Sequence, residues 1–146
     1  MARAHTYDAA LDRHLAAENS HDIEAILETF SESSEVVWSG RPYRGPDAIR
    51  KLHEGLGFGD AGAFSALAVI EKRRHYCGAT IIVEQTLRGR HTGLFEGIAA
   101  TGIVVEAPVC TLYEFGDDGI LVSERPHVDR WAIWKQLGGN RAGLRQ

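Results

Sequence analysis

The hydrophobic period of this chain changes once, near residue 63, and that change limits the folds open to it. Before it, apolar residues recur at helical spacing; after it, they alternate with a period of two. The boundary is the stretch HEGLGFGDAG, where Gly55, Gly57, Gly59 and Gly62 end a helix and allow a flexible crossing. Helices followed by a run of antiparallel strands make an α+β order, with helices on one face of a sheet. A cone-shaped, strongly curved antiparallel sheet covered by three N-terminal helices would enclose a pocket. Inward residues of the strands and of the first and third helices would line it.

The elements follow from local signals. Tyr7, Leu11, His14 and Leu15 share one stripe of a first helix. Asn19-Ser20 breaks the stripe and caps a second short helix, with Asp22 in its first turn and Ile23, Ile26, Leu27 and Phe30 at helical spacing. Glu35-Val36-Val37-Trp38 is a short strand closed by Ser39-Gly40. Gly45-Pro46 opens a third helix whose inner stripe is Ile49, Leu52, His53 and Leu56. Strands are expected near 63–75, 79–88, 103–115 and 120–128, with Pro108 suggesting a bulge or an edge position in the third. Gly116 to Gly119 reads as a hairpin turn. Trp131, Ile133, Trp134 and Leu137 form a last helical turn, and the tail GGNRAGLRQ reads as loose. The expectation is one domain with an ordered core over about residues 5–138.

Composition narrows the partners. The net charge of -4 argues against nucleic acid, whose binders carry a basic face; the one dense basic cluster, EKRR, suits a solvated hairpin end. No apolar run reaches the roughly 20 residues of a membrane span. MARAHTYDAALDRHL has no apolar core of signal-peptide length. Cys77 and Cys110 form neither a CxxC nor a Cys/His zinc pattern, and free thiols fit a cytoplasmic location. The chain is expected to bind neither nucleic acid nor membrane.

Several residues have chemical potential beside a packing role. His14 lies on an apolar stripe and His53 at the edge of one; each is either a core histidine or a ligand-facing one. Trp38 is either core or the indole wall of a pocket for a flat, apolar ligand. Tyr43 and Tyr113 are hydrogen-bond donors or core fillers. Glu84, among Ile81, Ile82 and Val83, is an acid or base if its face is the cavity, and a solvent-facing carboxylate otherwise. The densest polar segment is SERPHVD, with Glu124, His127 and Asp129. In a regular strand Arg125, His127 and Asp129 point the same way, and a carboxylate beside an imidazole makes a general-base unit or a surface ion-pair cluster. A bulge at Pro126 would turn Glu124 to the other side. The stretch RGRHTGLFEGIAATG is glycine-rich, but no βαβ unit frames it as a dinucleotide or phosphate loop. His91 and His127 offer metal ligands without an evident third, and no metal is expected.

The second half, GRHTGLFEGIAATGIVVEAPVCTLYEF and DDGILVSERPHVDRWAIWKQLG, resembles the SnoaL-like polyketide cyclases of the nuclear transport factor 2-like superfamily. The matching features are His91-Thr92-Gly93, Thr101-Gly102, Asp118-Gly119, Glu124, Asp129 and Gln136-Leu137-Gly138; in the first half, HDIEAILETF and GPDAIRKLH match as well. The resemblance implies a cone-shaped α+β barrel, usually dimeric, with an apolar pocket. Its cyclases close rings by a cofactor-free aldol reaction on a carbonyl-bearing ligand. On that pattern the cyclase aspartate falls at Asp129 or beside His127. Those two would act as the base, and His14, Thr111 and Tyr113 as orienting or oxyanion donors. Trp38, Phe95 and Val109 would be walls. The ketosteroid isomerase base of the same superfamily falls at Trp38, which cannot take a proton. Its tyrosine falls near His14 and its carboxylic donor at Thr111. The resulting expectation is a homodimeric, cofactor-independent enzyme acting on a small apolar carbonyl compound. The alternatives are a non-catalytic binding protein of the same fold, or an isomerase, dehydratase or epoxide hydrolase variant.

Overall fold

The structure is a computed structural model and describes residues 6–139. The chain runs α1 (Asp8–Asn19), α2 (Ile23–Leu27), β1 (Phe30–Trp38), β2 (Arg41–Arg44) and α3 (Gly45–Leu56), then β3 (Phe64–Cys77), β4 (Thr80–His91), β5 (Val104–Phe115), β6 (Leu121–Val128) and α4 (Arg130–Gln136). The expected loose tail lies, from residue 140 on, outside the described residues. The six strands form one curved, unclosed sheet in the order β2-β1-β6-β5-β4-β3. This is the expected α+β architecture, with one correction. All neighbouring strands are antiparallel except β1 and β6, which run parallel. No helix among the described residues is long and apolar enough to cross a membrane.

Local chemistry explains the helix ends. Asp22, not Asn19 or Ser20, caps α2, its carboxylate accepting from the Ala25 N–H at 3.0 Å. Asn19 instead acts as a surrogate strand residue: its amide donates to the Val69 carbonyl and accepts from the Val69 N–H, at 3.0 and 2.8 Å. Arg74 on β3 grips Asp8 and Asp12 on α1. These contacts hold α1 against β3. Pro46 and Asp47 sit in the first turn of α3, where a missing N–H costs nothing and a carboxylate meets the helix dipole.

The glycine boundary is a packing requirement. Gly57 has φ +123°, and a Cβ there would sit 1.9 Å from the Phe64 carbonyl oxygen. Replacing Gly57 by Ala is expected to cost about 2–4 kcal/mol, combining backbone strain with a forced shift of β3. Thermal denaturation followed by circular dichroism checks this; a loss below about 1 kcal/mol would contradict it.

Two differences from the sequence expectation shape the interior. Pro108 marks neither a bulge nor an edge, because β5 is central and its register with β4 is unbroken. The Pro108 carbonyl accepts from the Asp129 N–H at 3.2 Å, so its nitrogen also faces β6, just past that strand's end. No bond of the β4–β5 ladder is lost; the one given up is the return bond to Asp129, past the end of β6. The bulge lies in β6 instead: Phe115 pairs with Leu121 and Glu114 with Ser123, so Val122 is the extra residue. From Ser123 to Val128 the pairing with β5 is regular through Pro126. That shift turns Glu124, Pro126 and Val128 inward.

Candidate functional site

The helices cover the concave face of the sheet and leave a slot between the layers. It is lined mainly by apolar side chains, among them Trp38, Leu52, Leu56, Phe95, Val109 and Ile133. The space between its walls is about 640 Å³, counting the open mouth. The rings of Trp38, Phe58, Phe64 and Phe95 on its walls suit a flat, apolar molecule.

One end of the slot is polar. His14 and Glu18, one turn apart on α1, are fully or almost fully buried, as are His53 on α3 and Glu124 on β6. His14 Nε2 lies 3.4 Å from Glu18 Oε1 and 3.5 Å from Glu124 Oε2. His53 Nε2 lies 3.4 Å and 4.0 Å from the same two carboxylates. These are ion-pair separations rather than hydrogen bonds. His14 Nε2 and Glu124 Oε2 have no hydrogen-bond partner.

The tautomers follow from the other ring nitrogens. The Thr29 hydroxyl donates its proton to the Ile26 carbonyl at 2.6 Å, so it accepts from His14 Nδ1–H at 2.8 Å. His53 Nδ1 faces the Ile49 carbonyl at 2.9 Å and must donate to it. Both Nε2 atoms thus turn toward the carboxylates. Burial works against a charged His14, but Glu18 and Glu124 outweigh it and hold the imidazole above the usual histidine range. Burial likewise opposes ionised Glu18, and His14 and His53 overcome it, leaving the carboxyl below the usual range. His53 is raised against its own burial by Glu18 and Glu124. Two carboxylates face two imidazoles, so opposite charges can meet in pairs, the arrangement a buried site tolerates.

A second polar chain runs along the sheet beside this tetrad. Thr111 donates to the Gln85 carbonyl oxygen at 2.9 Å, and the Gln85 amide donates to the Tyr113 hydroxyl at 3.0 Å. Tyr113 therefore accepts from Gln85 and keeps its own O–H to donate. Burial and the neighbouring Glu18 and Glu124 carboxylates push its pKa well up, so it remains a phenol.

Of the residues singled out by sequence, Trp38, His53, Phe95, Val109, Thr111, Tyr113 and Glu124 line the slot, and His14 backs it through Glu18 and Glu124. The others do not. The Asp129 side chain caps α4, accepting from the Ala132 N–H at 2.9 Å. His127 is exposed and lies in a side groove with Ser39 and Arg125 that shares Trp38, Pro126 and Val128 with the slot. The Val122 bulge reverses the alternation that would have put Arg125, His127 and Asp129 inside. Glu84 is on the outer face, bonded to His75 at 2.7 Å. Tyr43 lies under the Arg41 guanidinium in a side groove that shares Trp38, Leu56 and Phe95 with the slot. His91 is buried and holds the Thr101 hydroxyl and N–H, pinning the loop that carries Phe95. Glu18 and Gln85 were not singled out. Glu18 had a signal, because it lies four residues after His14 on the same stripe.

Comparison with known proteins bears on the fold and the family. Residues 11–124 match the SnoaL-like domain family. No curated protein sequence matches the chain. Among solved structures, a protein assigned as a SnoaL-like polyketide cyclase from Jannaschia sp. CCS1 superimposes with a TM-score of 0.82 at 18% identity, covering 96% of each chain. A protein assigned as a polyketide cyclase from Xanthomonas campestris gives 0.81 at 14% identity, covering 92% of this chain and 98% of that one. AclR from Streptomyces galilaeus, assigned as a hydroxylase, gives 0.77 at 21% identity, covering 92% of this chain and 97% of that one. These likenesses establish a shared fold, and the sequence match over residues 11–124 establishes more: the chain belongs to the SnoaL-like domain family.

Proposed function

We propose that the protein is an acid-base enzyme acting on a flat, mostly apolar, carbonyl-bearing small molecule, with polyketide-type aldol ring closure as the best-supported form. The observation that carries this reading is Glu124: a buried carboxylate at the polar end of an apolar slot, with Oε2 free of any hydrogen bond. A carboxylate so placed is a base for a proton next to a carbonyl. The substrate's carbonyl oxygen would meet the Tyr113 O–H, which strengthens as negative charge develops there. Loss of the α-proton to Glu124 gives an enolate. Its carbon attacks a second carbonyl of the same molecule, the new C–C bond forms, and the resulting alkoxide takes the proton back. His14, His53 and Glu18 hold Glu124 in place and keep the buried charge balanced. Trp38, Leu56 and Phe95 select a flat ligand.

Deuterium wash-in tests the first step without knowledge of the natural substrate. Flat cyclic ketones such as 2-tetralone are incubated in D2O with the protein, and loss of the α-proton signal is followed by NMR. The expected result is exchange well above the protein-free rate. No acceleration across a panel of such ketones would count against the proposal.

A further inference from the structure

The donor atoms of His14, Glu18 and Glu124 are too far apart for hydrogen bonds and well placed for a shared cation. Ligands about 2.1 Å from one zinc-like ion in a tetrahedron lie about 3.4 Å from one another. Here the separations of His14 from the two carboxylates are 3.4 and 3.5 Å. The donor atoms of His14, Glu18 and Glu124 all lie within 4.8 Å of one another. From this geometry we propose that His14, Glu18 and Glu124 form a binding site for one divalent first-row transition metal, with His53 beside it as a partner of the two carboxylates.

Three further observations support it. His14 Nε2 and Glu124 Oε2 are buried without a hydrogen-bond partner, a costly state that a bound cation relieves. His14 donates its Nδ1–H to an outer acceptor, Thr29, which presents the Nε2 lone pair inward. That is how outer partners orient metal-binding imidazoles. Charge also balances: one divalent ion against two carboxylates leaves the buried site neutral, as two protons do. One imidazole nitrogen with two carboxylate oxygens suits zinc, iron(II) or manganese(II), rather than copper(I), which prefers sulfur, or calcium, which prefers all-oxygen sites. No spacing motif announces the site, because His14 and Glu124 come from opposite ends of the chain.

Metal and protons are alternative occupants, so this inference goes beyond the acid-base reading and is tested apart from it. Chelator-treated protein is titrated with Zn²⁺ by calorimetry, and with Co²⁺ while its visible absorption is recorded. The expected result is one ion per chain and a Co²⁺ band of a four-coordinate nitrogen and oxygen site. At a Zn²⁺ concentration about one hundred times Kd, the melting temperature should rise by roughly 5–10 °C. His14→Gln and Glu124→Gln should each weaken binding at least about a hundredfold. Thr29→Val keeps every ligand and side-chain shape but removes the outer acceptor of His14; it should weaken binding about 10- to 100-fold. It also keeps the test valid if a ligand variant fails to fold. His75→Ala, which disrupts the exposed His75–Glu84 pair, should leave binding unchanged. Absence of stoichiometric binding, or binding that survives in Glu124→Gln and Thr29→Val but falls in His75→Ala, overturns the proposal. The ketone exchange assay is run on chelator-treated protein, where Glu124 is free to act as the base, so a failed metal titration leaves it intact. A failed exchange assay leaves the titration intact.

Discussion

Glu124→Gln should lower the rate of α-proton exchange by about 10²- to 10⁴-fold while the fold survives. That range is what a positioned proton-transfer group contributes. Glutamine keeps the size of the side chain and a carbonyl oxygen toward His14, but it cannot take a proton. Among the described residues, the change falls on the one buried carboxylate oxygen without a hydrogen-bond partner, at the wall of the slot. The loss should appear in kcat, because the slot that binds the ligand is unchanged. Asp129→Asn is the informative companion. Asp129 caps α4 outside the slot, so its variant should keep exchange near the wild-type rate. An Asp129 variant as impaired as the Glu124 variant would return the chemistry to the end of β6.

Glu18→Ala should cost about 3–5 kcal/mol of stability in chelator-treated protein, the usual penalty for breaking a buried ion pair from one side. Glu18 lies at 3.4 Å from the Nε2 of both histidines, so its removal leaves two buried imidazole rings facing one carboxylate. Urea denaturation checks this as a lower midpoint at unchanged slope. The control is the pair His14→Leu with Glu18→Leu. It removes one positive and one negative group together, leaves His53 with Glu124, and fills the space with apolar atoms. The double variant should be more stable than Glu18→Ala alone. If the two are equally unstable, the charge balance of the tetrad is not what Glu18 supplies.

Much of the fold was legible because its signals are local. The change of hydrophobic period, the proline at the start of α3 and the Gly116–Gly119 turn each act within a few residues. The parts that were not legible depend on distant partners. The strand β1 begins at Phe30 rather than near Glu35. Its polar start, Ser31 to Ser34, looks like a loop, but the Ser34 hydroxyl donates to the Leu121 carbonyl at 2.6 Å from β6. The strand β2 is four residues long, contains Pro42, and lies at the sheet edge, so alternation could not reveal it.

The site divides in the same way. His14 and His53 stood out because a histidine on an apolar stripe is unusual. Glu18 should have stood out beside His14. The role of Glu124 turned on the direction of one strand face, and that direction is set by an extra residue at Val122, opposite Glu114 and Phe115. A proline at 126 was the visible irregularity, and it causes none. Asp129 carried its own sequence signal as an aspartate directly before an apolar helical turn, which marks a helix cap. The resemblance drew it toward catalysis instead.

On the proposed function, a flat ligand enters the slot and places its oxygen at the polar end. Calorimetric titration with 2-naphthol, a flat ring system with one enol-like oxygen, tests this most directly. The comparison is between wild type and Leu56→Trp, which narrows the slot at the half-buried end of α3 and leaves the tetrad untouched. The account predicts one naphthol bound per wild-type chain and an affinity at least about tenfold weaker in Leu56→Trp, on the order of 1.4 kcal/mol. Equal binding by the two proteins, or none by the wild type, would contradict it.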